Sequence, residues 1–241
     1  MAEERSPDNK LCSPPHQKLS SLREIETQSV FISDKNTLSD SRPSNLANEI
    51  SIKDSTSNIN PLGLLAFGIT GFLVNLSQTG LYPMTSILQC FGLFYGGFGL
   101  LLTGIMEWKK NHMVNAVTYS SFGFFWISNI SSGIFVKLGW GDPADPIGTG
   151  VVLLLFGTFL FVLFIVNLGT PIVVKLIFIT AFVSFWIQGA GLIMGKQERL
   201  SAAIGVCTCI LAIYAGFSEI LQETYGMTLL PLGPTMTRKR N

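Results

Sequence analysis

Asn58-Ile59-Asn60-Pro61-Leu62-Gly63-Leu64-Leu65-Ala66-Phe67-Gly68-Ile69-Thr70-Gly71-Phe72-Leu73-Val74-Asn75 marks a change of solvent along this chain. The residues before it are polar and charged, whereas no charged side chain occurs from Ser55 to Met106. Pro61 suits the first turn of a helix, where the N–H it lacks has no partner anyway. Asn58 and Asn60 are placed to cap that end. The predicted helix then carries Gly63, Ala66, Gly68 and Gly71, one large ring at Phe67, a hydroxyl at Thr70 and an amide at Asn75. A span that serves only as an anchor needs none of these. Small residues let helices approach closely, and a buried amide needs a partner or water.

Outward from this stretch, the composition separates two regimes. The 241 residues are 48% hydrophobic and only 13% charged, with 18 Phe, and nine of the 15 acids precede residue 55. Such segregation predicts a soluble tail joined to a membrane domain rather than one globular core. Residues 1–57 are rich in Ser, Asn, Asp, Glu and Lys, carry Pro7, Pro14, Pro15 and Pro43, and bury too little apolar surface to fold alone. They are expected to form a disordered cytosolic tail, with residues 234–241 as a short basic one. The tail's Ser and Thr residues suit phosphorylation; a flexible tether with no part in transport accounts for them equally well. A net charge of +1 gives no support for a nucleic-acid partner. Cys12, Cys90, Cys207 and Cys209 have neither metal nor disulfide spacing, and Cys207 and Cys209, two apart, face different ways on a helix. No cofactor is expected. The first apolar block begins too late for a cleaved signal peptide.

Six apolar blocks follow, each near the roughly 20 residues that cross a bilayer. The pattern predicts spans at Leu62–Tyr82, Ser86–Met106, Val114–Val136, Thr149–Leu168, Ile172–Met194 and Ser201–Gln222. Their short connections imply antiparallel neighbours. The fold class is therefore an all-α membrane protein: a compact bundle of six transmembrane helices occupying residues 58–233. Lys53, Lys109, Lys110, Lys175, Arg238, Lys239 and Arg240 fall on one side, against Lys137, Lys196 and Arg199 on the other. That imbalance places both termini in the cytosol. The long polar tail points to a plasma membrane protein.

Nothing in the spans suits covalent catalysis, so an enzyme is not expected. His16 lies in the tail and His112 in a loop, and no acid or base sits at mid-membrane. Glu107 and Glu219 fall near the cytosolic ends of the second and sixth spans as gating or coupling groups; otherwise Glu107 is an interfacial partner of Lys110 rather than a proton carrier, and Glu219 is cap packing near Lys175. Span two reads Gly92-Leu93-Phe94-Tyr95-Gly96-Gly97-Phe98-Gly99, a close-packing stripe for helix or subunit contact. Odd-numbered spans share a weaker pattern: Phe67 precedes Asn75 by eight residues, Phe122 precedes Asn129 by seven, and Ala181 precedes Gln188 by seven. Seven residues rise roughly 10 Å along a helix. Around a common axis, apolar side chains would then form one level and carboxamides the next. Amides can hydrogen-bond a carboxylate without the fixed charge that would trap it. Amides that merely link helices account for Asn129 and Gln188 equally well.

The segment Asn58–Leu64 resembles the Asn-Pro-Ala-Pro-Leu-Gly-Leu signature of the acetate uptake transporter family, which includes the microbial succinate–acetate permeases. Ile59 and Asn60 depart from its Pro-Ala pair. The likeness continues through Phe67-Gly68, Asn75-Leu76, Phe94-Tyr95-Gly96-Gly97, Gly104, Glu107-Trp108-Lys109-Lys110, Phe122-Gly123, Trp126, Ala212-Ile213-Tyr214, Glu219 and Tyr225–Gly233. The resemblance implies a pore for acetate and similar small monocarboxylates in each protomer, open to proton linkage, within a homo-oligomer, a hexamer. It also implies a hydrophobic neck at Phe67, Phe122 and Ala181, where the family commonly has Tyr and Leu at the last two positions. Phe182, one residue on, would compensate for the small Ala181 if the helix were rotated. Together with Thr70, Asn75, Asn129 and Gln188, the neck residues form the expected substrate pathway. Two other classes fit the same residues: an ammonium or ammonia exporter, and a membrane sensor signalling through the tail.

Overall fold

The structure is a computed structural model and describes residues 57–196 and 199–235. Expectations for the rest of the N-terminal tail, its disorder included, and for Arg238, Lys239 and Arg240 fall outside these residues. Six long helices account for nearly all of the described chain: α1 (Asn60–Gln78), α2 (Ser86–Lys109), α3 (Met113–Lys137), α4 (Pro146–Val166), α5 (Ile172–Ile193) and α6 (Arg199–Tyr225). They agree with the six predicted blocks to within a few residues. Five are long and apolar enough to cross a membrane. The other, α3, is 25 residues long but is diluted by Asn115, Thr118, Ser120, Ser121, Ser128, Asn129, Ser131 and Ser132. This is a multi-pass membrane protein.

Two local features depart from the sequence pattern. The first helix stops at Gln78 rather than Tyr82, because Gly80 takes a left-handed turn (φ +90°) and the chain folds back. The hydroxyl of Tyr82 then donates to the carbonyl of Leu73 at 2.6 Å, covering the helix end. Within α2, Gly92–Phe98 is wound as a π-helix. Wider winding shifts the residues beyond it around the axis. As a result Gly92 faces Ile130 of α3, Gly96 faces Thr70 of α1, and Gly97 faces Ile127. The glycine stripe thus serves helix contacts within the chain.

Helix α1 packs between α2 and α6, α5 lies between α4 and α6, and α2 pairs with α3. Helices α3 and α4 meet chiefly through rings, Phe125 against Phe156 at 4.7 Å and Phe122 against Phe156 at 6.2 Å. The outer faces carry Phe94, Phe98, Leu155 and Val162, all exposed, while Thr70, Thr103, Glu107, Ser184, Thr208 and Ser218 are buried. Large apolar side chains outside, and hydroxyls and a carboxylate buried among apolar residues inside, fit a bundle whose solvent is lipid. Beyond α6, the chain returns across the start of α5. Ser218 Oγ donates to the Leu230 carbonyl at 2.6 Å, Tyr214 Oη to that of Pro231 at 3.0 Å, and the Val173 amide to that of Leu232 at 3.2 Å.

Close packing of α2 on α3 is a firm constraint. A Cβ at Gly123 would lie 2.8 Å from Leu101 Cγ and 2.9 Å from the Gly97 carbonyl oxygen, and the backbone cannot swing aside. Overpacking of this kind costs about 1–3 kcal/mol. Gly123→Ala should therefore lower the melting temperature of the detergent-purified protein by several degrees. Gly141→Ala, whose nearest obstacle is Phe135 Cβ at 3.8 Å, should leave it unchanged.

Candidate functional site: a passage with two chambers

Two cavities lie in line inside the bundle. The larger, of about 210 Å³, is lined by Asn75, Gln78, Asn129, Thr149, Ser184, Gln188 and Thr208 among apolar residues, with no charged side chain among the described residues. The smaller, of about 90 Å³, is lined by Asn60, Asn115, Thr118, Tyr119, Asn167 and Glu219 and by aliphatic and aromatic groups. The residues common to the two are Phe67, Phe122 and Ala181. These are the three positions expected at the neck. Phe67 and Phe122 touch edge to face with centroids 5.2 Å apart, and Phe122 and Ala181 are each only 3% exposed. Ala181, on α5, adds only a methyl group at this level. Phe182 stands elsewhere, against Phe161 (5.1 Å) and Trp186 (5.8 Å).

The amide chamber brings together Asn75, Asn129 and Gln188, as the spacing predicts. Their hydrogen bonding adds detail absent from the sequence. Asn75 Nδ2 donates to the Gly71 carbonyl at 2.8 Å and faces Cys209 Sγ at 3.9 Å. The first bond fixes the carboxamide on its own helix, and sulfur is a weak acceptor that a solute oxygen can replace. Opposite, Gly205 lets the amide in, since any Cβ there would collide with Asn75 Oδ1. Gln188 Nε2 donates to Gln78 Oε1 at 3.2 Å. Gln78 was missed in the sequence, although it lies one helical turn from Asn75 on the same face.

Other expected positions sit differently. Thr70 lines neither cavity; it is buried against Gly96, and its hydroxyl has no hydrogen-bond partner. It packs α1 on α2. Glu107, also buried, accepts from Asn115 Nδ2 at 2.9 Å and His112 Nδ1 at 3.0 Å, while Lys110 donates to the Ser57 carbonyl. Glu219 accepts from Asn60 Nδ2 at 2.7 and 2.8 Å and from Asn58 Nδ2 at 3.3 Å. Asn60 therefore spends its side chain across the bundle instead of capping α1, while Asn58 Oδ1 takes up the Asn60 amide at 3.0 Å. Among the described residues no His, Cys, Asp and Glu cluster suits a metal ion.

Helices that turn apolar faces outward and enclose a polar–apolar–polar passage define a membrane protein with a conduit through its own fold. Residues 44–235 match the GPR1/FUN34/yaaH family, and the chain belongs to it. It is 33% identical to the succinate-acetate/proton symporter SatP of Escherichia coli over 175 residues, 72% of this chain and 93% of that protein. A solved structure of the bacterial acetate channel SatP superposes with a TM-score of 0.72 at 32% identity, covering 74% of this chain and 99% of that one. Ammonia transport outward protein 2 of Saccharomyces cerevisiae is 26% identical over 181 residues, 69% of this chain and 63% of that protein. The family resemblance carried by Asn58–Leu64 is thereby borne out.

Thr70 offers a clean test of placement. A buried hydroxyl without a partner costs about 1–3 kcal/mol, and valine has the same shape without it. Thr70→Val should melt at the same temperature as the parent or higher. A drop of several degrees would show that the hydroxyl has a partner.

Proposed function

We propose that this chain is a channel or transporter for acetate and similar small monocarboxylates, with one passage in each protomer. The observation that carries this reading is the meeting of two polar chambers at Phe67, Phe122 and Ala181. Acetate is small and its carboxyl group is costly to strip of water as an anion, far less so as the neutral acid. A short apolar neck between amide-bearing chambers suits such a solute. The amides replace part of its hydration on either side, and the neck admits it once a proton or brief dehydration lowers the cost. The first of these routes makes uptake proton-linked. The names of the SatP relatives support the substrate class.

In this reading α3 crosses the membrane with the other five helices, and residues 58–233 form the transport domain. The lysine and arginine imbalance puts both termini in the cytosol, with the protein in the plasma membrane. The start of α1, the α2–α3 turn and the end of α6 all meet at one mouth, around Asn58, His112 and Gln222. The chain is a transporter rather than an enzyme, and assembles as a homo-oligomer, a hexamer by resemblance. Export of ammonium is a second reading, favoured by the carboxylates Glu107, Glu219 and Glu223 lining that mouth. Labelled methylammonium distinguishes the two.

Uptake of labelled acetate into liposomes carrying the purified protein, with and without a pH gradient, tests the proposal. Acetate should accumulate in a protein-dependent manner, and methylammonium should not compete. Phe67→Ala should raise the leak of larger monocarboxylates by roughly tenfold, the effect of about 1.4 kcal/mol off a barrier. Asn75→Ala should lower acetate uptake by about three- to tenfold, the worth of one hydrogen bond. Equal uptake by protein-free liposomes would refute the reading.

A further inference from the structure

The smaller cavity, the tyrosine chamber after Tyr119, has a second shared boundary. It shares Asn60, Asn115 and Glu219 with the open mouth, just as it shares the neck with the amide chamber. Each of these side chains is tied. Asn60 Nδ2 bonds both oxygens of Glu219 at 2.7 and 2.8 Å, its Oδ1 accepts from the Tyr119 hydroxyl, and Asn115 Nδ2 bonds Glu107 at 2.9 Å. One carboxamide thus links α1 to α3 and α6 across the passage. Asn58 Nδ2 adds a contact to Glu219 at 3.3 Å, and the Asn58 amide donates to Glu223 Oε1 at 3.2 Å. Among the described residues, no lysine or arginine lines either the tyrosine chamber or the mouth.

We propose that Asn60 is a positioning residue that holds Glu219 across the passage as a second, polar gate, and that this gate sets the charge selectivity of the conduit. This inference rests on the proposed transport function. An acid side chain fixed at a constriction repels a bare carboxylate and lets a neutral acid by, as rings of acidic residues do in cation-selective pores. The amide contributes geometry. With both donor contacts on one carboxylate, Glu219 stays over the opening; without them it is free to swing into the wide mouth. The apolar neck selects for size and dryness, and the Asn60–Glu219 pair selects against net negative charge.

The test separates two driving forces. Full-length protein in liposomes is given labelled acetate either under a pH gradient, which drives the neutral acid, or under an inside-positive potential, which drives the anion. The parent should respond to the pH gradient and hardly to the potential. Glu219→Gln keeps an acceptor for Asn60 and removes the charge; it should raise the potential-driven share of uptake by about tenfold. Asn60→Ala, which unties the acid, should raise it several-fold. Each mode is counted after subtracting protein-free liposomes, whose bilayer neutral acetic acid crosses unaided, so a loss of folded protein lowers both modes together and leaves their ratio unchanged. If the parent carries acetate and neither variant changes the ratio, the gate is refuted while the conduit stands. If the parent carries no acetate, both fall. Should Asn60→Ala fail to fold, the ratio for Glu219→Gln decides alone.

Discussion

Everything in this bundle is arranged around two rings in contact. Phe67 on α1 and Phe122 on α3 meet edge to face at 5.2 Å, beside a helix that offers only a methyl group at Ala181. An edge-to-face pair is worth about 0.5–1.5 kcal/mol beyond the area it buries. That is a bias of only about one to three times the thermal energy, small enough for a small solute to part the rings. Further rings back this closure. Phe185 lies 6.2 Å from Phe122, and Phe125 lies between Phe156 at 4.7 Å and Phe185 at 5.4 Å.

For the rings to meet there, the helices that carry them must come close. Glycines permit it: Gly123 sits against the backbone of α2, Gly63 against the ring of Tyr119, and Gly68 against the α6 backbone at Cys209. The same economy of side chains makes room for polar groups. Asn75 enters the amide chamber because Gly205 stands aside, and the Gly71 carbonyl holds it there. Sequence, packing and site are linked directly: small residues set the helix spacing, the spacing sets the neck, and the neck divides the polar interior in two.

Much of this was legible in the sequence because membrane helices advertise their length and their faces. The apolar blocks located the long helices, and a spacing of seven or eight residues put each neck position two turns from an amide. The misreadings have local physical causes. Counting about 100° per residue, the cavity-facing arc of α1 runs from Val74 through Phe67 to Asn75, and Thr70 falls just outside it. The π-wound turn at Gly92–Phe98 left no periodic signal, since it depends on what α2 packs against. Asn60 read as a cap because its near neighbours favour that role; its real partner, Glu219, lies 159 residues away. Glu107 was paired with Lys110 by proximity in sequence, yet the turn of the chain delivers His112 and Asn115 instead.

The central claim is that Phe67, Phe122 and Ala181 separate two chambers opening to opposite sides of the membrane. Accessibility of single cysteines tests it most directly. In full-length protein with the four native cysteines replaced, Asn75→Cys and Asn60→Cys are exposed to a membrane-impermeant thiol reagent from one side at a time. Asn75→Cys should be labelled only from the outside and Asn60→Cys only from the cytosol. Labelling of both from the same side, or of neither from any side, would contradict the account.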